Sequence, residues 1–109
     1  MYNGYANEDS YYFDCVWAND QFLYNAIVRE GKRLLNSVPG MTPQTLGLNI
    51  LNSLKAALNN GGWGWAGMPE AFVSIPGDSW ANLVSSVNLA NVNETEFGEN
   101  VLDAIDNEN

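Results

Sequence analysis

Histidine is absent from the 109 residues, cysteine occurs once, and only four side chains are basic. The missing histidine removes Ser/His and Cys/His nucleophile systems and the commonest metal ligand. A single thiol excludes an internal disulfide and a multi-cysteine metal site. Four bases against thirteen acids give a formal charge of −9, which argues against direct binding of nucleic acid through a basic patch. No apolar run approaches the roughly 18 residues of a membrane helix. The opening residues also lack the basic-then-apolar signature of a secretory signal. An alternating run of acids of the EF-hand kind does not occur either, so no metal and no other cofactor is expected. These absences lead to one expectation: a single acidic, soluble domain over residues 1–109, without membrane contact, acting in a reducing cytosol.

What is present is enough for a core. Leu, Ile, Val and Phe supply 27 residues, so the chain is not disordered by composition. Sixteen asparagines are scattered along it, and asparagine favours caps and turns, hence several short helices. Helical periodicity predicts a first helix over residues 9–18, capped by Asp9 or Ser10, with Tyr12, Phe13, Val16 and Trp17 at helical spacing. Asn19-Asp20 reads as a turn and a new cap. A second helix over residues 21–37 follows, with Phe22, Leu23, Ala26, Ile27, Leu34 and Leu35 as its stripe and Gly31 as a weak point. Thr42-Pro43 is a strong helix start, and Leu46, Ile50, Leu51, Leu54, Ala57 and Leu58 share one face behind it. Asn59-Asn60-Gly61-Gly62 is the stop.

Residues 61–77 hold five glycines and two prolines and read as an irregular loop with a short extended piece at residues 72–75. Asp78 is the expected cap of a helix carrying Trp80, Leu83, Val84 and Val87. Asn93 with Glu96 resembles a capping box for a last helix that buries Phe97, Val101, Leu102 and Ile105. The expected fold is all-α, with about five short helices around one core and a Gly/Trp-rich loop. Leu46, Ile50, Leu54, Trp80, Leu83, Val87, Val101 and Ile105 are the expected core, with Cys15 as a small buried residue of the first helix.

Three constellations bear on function. At about 100° per residue, Glu96, Glu99, Asp103 and Asp106 share one side of the last helix, opposite its apolar face. Glu94 and Glu108 extend the strip, and residues 61–109 hold eight acids and no base. Such a strip is either a solvated face that aids solubility or a surface that imitates phosphates and enters a basic groove on a partner. Duplex DNA over a span of roughly 35 Å carries about 20 charges, more than this chain's excess of acids, so only partial mimicry is open to it. Trp63 and Trp65 either cover the core or stack on a partner, a sugar or a base. Tyr5 and Tyr12, with Tyr2, Tyr11, Tyr24 and the acids between them, form either a packed N-terminal arm or an amphipathic contact surface. Catalysis has only a carboxylate pair including Glu70 to draw on, and no enzyme is expected.

The opening Asn3-Gly4-Tyr5-Ala6-Asn7, followed by Trp17, Asn19-Asp20 and Leu23-Tyr24, resembles a family of small phage and plasmid proteins. Members open with Asn-Gly-Tyr-x-Asn and carry a later Trp-x-x-Asn-Asp stretch. The segment Asp78-Ser79-Trp80-Ala81-Asn82-Leu83-Val84 is similar to that family's Asp-Trp-x-x-Ile-Ala helix with one residue inserted. Residues 38–77 have no counterpart in it. The resemblance implies a mobile-element origin and action in the bacterial cytoplasm, without established enzymology. Composition and resemblance together suggest a protein that binds a host protein with a basic groove and inhibits it, as anti-restriction and anti-CRISPR proteins do. The contact residues would be Glu96, Glu99, Asp103, Asp106, Trp63, Trp65, Tyr5 and Tyr12. The alternatives are a sugar- or nucleotide-binding module built on Trp63, Trp65 and Glu70, and a structural or assembly protein.

Overall fold

The first helix begins one residue before the expected caps. In a computed structural model, which describes residues 2–59 and 68–108, Asn7 caps α1 (Glu8–Asn19) by accepting the Ser10 N–H at 2.8 Å. Asp9 and Ser10, the expected caps, instead reach across to residues 88–93. Asp20 caps α2 (Gln21–Ser37), taking the Phe22 and Leu23 N–H groups at 2.9 and 3.1 Å. Thr42 accepts from the Thr45 N–H at the start of α3 (Pro43–Asn59). Among the described residues all regular structure is helical, so the fold is all-α with five helices.

Residues 70–72 form a single 3-10 turn rather than the start of an extended piece. The N–H groups of Phe72, Val73 and Ile75 bond carbonyls three residues back. Phe72 and Ile75 still point into the core. The next helix, α4 (Gly77–Ser86), follows Pro76 without a side-chain cap. The expected cap, Asp78, lies inside its first turn, where a carboxylate suits the positive helix end. Trp80, Leu83 and Val87 are buried, but Val84 is 58% exposed, because the stripe is narrower than four residues. Phe22 of α2 is likewise 53% exposed, and Cys15 is half-buried rather than buried. A 3-10 turn at Leu89–Asn91 leads to α5 (Glu94–Asn107).

The eight residues expected in the core are all buried. The closest helix packing is between α3 and α5. A Cβ on Gly47 would overlap the Glu94 carbonyl, and one on Gly98 would overlap the Pro43 carbonyl. The first turns of the two helices therefore meet backbone to backbone. Gly31 does a milder version of this, since its Cβ would stand 2.9 Å from Val101 and 3.1 Å from Ile105. Aromatic rings fill the side toward α1: Phe13 and Trp17 pack on Phe97 at 4.8 and 5.9 Å, and Trp17 stacks on Tyr24.

Candidate partner-binding surface

The N-terminal arm is ordered by a two-residue turn. Asn3 and Gly4 both have positive φ (49° and 87°), as an Asn-Gly type I′ turn requires. Tyr2 and Tyr5 exchange N–H···O bonds of 2.8 Å across it. The turn lays both rings on α1. Tyr2 packs on Tyr11 and Tyr12 at 5.3 and 5.9 Å, and Tyr5 packs on Tyr11 at 5.6 Å. The Tyr5 hydroxyl donates to Asp14 Oδ2 at 2.6 Å. The Tyr2 and Tyr12 hydroxyls are 3.1 Å apart. The bond to Asp14, with lesser help from burial, pushes the Tyr5 phenol up to about 12. The bond to Tyr12 pushes that of Tyr2 to about 12.

The arm is tied to the last helix by polar contacts. The Ala6 N–H donates to both Glu96 oxygens at 3.0 Å. Asn7 Nδ2 donates to the Asn91 carbonyl at 2.7 Å. Asp9 accepts from the Asn88 N–H and from Asn91 Nδ2, both at 3.0 Å. These bonds, the Asn88 amide first, hold the Asp9 carboxyl below its ordinary value. The Asn93 N–H donates to Ser10 Oγ at 2.9 Å. The capping box is therefore only half formed. Asn93 accepts the Glu96 N–H at 3.0 Å, but the Glu96 carboxylate serves Ala6, and the Asn93 N–H goes to Ser10.

This tie joins two of the constellations. Tyr5, Glu96, Glu99 and Asp103, with Gly4 and Asn100, line one shallow concavity of about 290 Å³. Asp106 is exposed three residues further along α5. Tyr12 is one ring further along the cluster, in contact with Tyr11. Trp63 and Trp65 lie outside the described residues. Glu70, the acid expected beside them, is ion-paired with Arg29 at 3.6 Å.

The bases sit elsewhere. Lys32 pairs with Glu108 at 3.3 Å, and Arg33 chelates the buried Glu30 at 2.7 and 2.8 Å. The strip expected to run uninterrupted to Glu108 thus ends on a lysine. Among the described residues no base lies within ion-pair distance of Glu96, Glu99, Asp103 or Asp106. Nor do three acids or cysteines there gather as a metal site would need. The surface offers exposed carboxylates, which bind Arg in bidentate fashion, beside tyrosine faces, which stack on cations. Periodicity revealed the carboxylates but not the tie. Glu96 reads as a capping-box acid, and only the fold places Ala6 above it. Protein-family models, curated proteins and solved structures give no match to this chain.

Proposed function

We propose that this chain is a small inhibitory protein of a phage or related mobile element that acts in the bacterial cytoplasm. It binds a host protein through that protein's nucleic-acid-binding groove. The observation that carries this reading is the joining of Tyr5 to Glu96, Glu99 and Asp103 around one concavity with no base in its lining. Glu99 and Asp103, which have no partner among the described hydrogen bonds and ion pairs, attract the Lys and Arg that line such a groove, and the tyrosines add contact area at low entropic cost. The longest extent of the molecule is 33 Å, and duplex DNA carries about 20 charges over that length. An excess of nine acids therefore occupies part of a groove rather than replacing a duplex.

Capture from bacterial lysate tests this, using the parent chain and a variant carrying Glu99→Gln, Asp103→Asn and Asp106→Asn. The parent should retain a nucleic-acid-handling protein that added duplex DNA displaces, and the variant should retain less of it. Retention that is indifferent to both DNA and the substitutions contradicts the reading.

A further inference from the structure

A second surface, distinct from the acidic strip, is a trough of about 780 Å³ between α1 and α4. One wall is a stripe of α1, where Tyr12, Cys15, Val16 and Asn19 follow the spacing of one helix face. The other wall is α4, through Asp78, Asn82 and Ser86, and Phe22 closes the trough beside the junction of α1 with α2. At 1.5 Å per residue each wall runs for roughly 10–12 Å, about two helical turns. Two of the exposed large apolar side chains, Tyr12 at 38% and Phe22 at 53%, belong to this trough. A small apolar ligand lying there would stay wet along its outer side. An amphipathic helix would cover the same rings and keep its own polar face in water, which is the helix-in-groove mode of recognition.

The charge is one-sided. Asp20 and Asp78 are the only charged side chains among the lining residues. Asp20 caps α2 and Asp78 lies in the first turn of α4, so each carboxylate is offset in part by a positive helix end of about half a charge. The lining still stays net negative, because the last turn of α1 contains no base and its carbonyl end adds negative potential at Asn19. We infer that the trough between α1 and α4 is a docking site for a basic amphipathic helix of a partner protein, with apolar side chains placed against Val16 and Phe22. This does not depend on the reading of the acidic strip.

Cys15 supplies the readout, being the chain's single thiol and part of the wall. The probe is a blocked helical peptide of Leu and Lys in amphipathic register. The controls are a Leu/Glu peptide and a Ser/Lys peptide of equal charge. At about ten times its dissociation constant the Leu/Lys peptide should slow modification of Cys15 by a disulfide reagent roughly tenfold, and neither control should. Asn82 is exposed on α4. Asn82→Arg should abolish the protection and Asn82→Glu should preserve it, with circular dichroism confirming that both fold. The inference is overturned by no protection from the Leu/Lys peptide, by equal protection from either control, or by binding that leaves Cys15 as reactive as before. A loss of protection on neutralising Glu99 and Asp103 would place the peptide on the acidic strip instead, and would overturn it equally.

Discussion

Gly98 sits in a helix interior, where alanine is ordinarily favoured by about 1 kcal/mol. Here the added methyl would enter the Pro43 carbonyl, and the backbone cannot move aside as a side chain would. Gly98→Ala is therefore expected to destabilise the protein by about 1–3 kcal/mol, against the propensity trend, as read by denaturant unfolding. Gly47→Ala should behave alike against the Glu94 carbonyl. Neither role is legible in the sequence, where a mid-helix glycine reads only as a weak link until the facing helix is known. The apolar core positions were legible because periodicity alone sets them, whereas Phe22 and Val84 overran the buried stripe. At the same scale, Tyr5 titrates near 12 against an ordinary value of 10. The neutral phenol is the form that the folded state favours. Its contribution to stability is complete below pH 10 and disappears as the pH rises toward 12. A tyrosinate absorbance titration should show a late step shared by Tyr5 and Tyr2, and Tyr5→Phe should lower its amplitude by one phenol.

Among the elements, the connection between residues 6–10 and residues 88–96 holds the arm in place. Asp9 was expected to cap its own helix, because Ser, Asp and Asn before an apolar run all read as caps. The chain gives that task to Asn7, which frees Asp9 and Ser10 for a segment some eighty residues away. Sequence-local rules cannot see such a partner. The Asp9 carboxyl is held below its ordinary 3.8 by the Asn88 amide and then by the Asn91 side chain. Its contribution is thus present above pH 3.8 and is lost as the pH falls through its folded value. Asp9→Ala should mimic that loss at neutral pH, with faster hydrogen exchange at the Asn88 amide and unchanged exchange in α3. The helix with the clearest start signal, α3, presents the opposite case. Leu54 is fully buried, and Leu54→Ala should cost about 2–5 kcal/mol, measured by denaturant unfolding.

Over the whole molecule, charge is sorted as the sequence suggested, and the fold sharpens the sorting. Arg29, Lys32 and Arg33 all lie on α2, and each has a carboxylate partner. The carboxylates of α5 are left facing outward beside the tyrosine arm. Among Glu96, Glu99, Asp103 and Asp106, one is not interchangeable with the rest. Glu96 receives the Ala6 N–H, so neutralising it also loosens the arm. Glu99, Asp103 and Asp106 have no such internal task among the described hydrogen bonds and ion pairs. Replacing these three by Gln or Asn should leave folding intact or slightly improved, since like-charge repulsion falls. The measurement closest to the central claim is the association rate with the captured partner over a range of salt concentrations, for the parent and for this triple variant. Association of the variant should be slower, with a shallower salt dependence. Equal rates and equal slopes would contradict the claim, leaving the carboxylates of α5 as a solvated face.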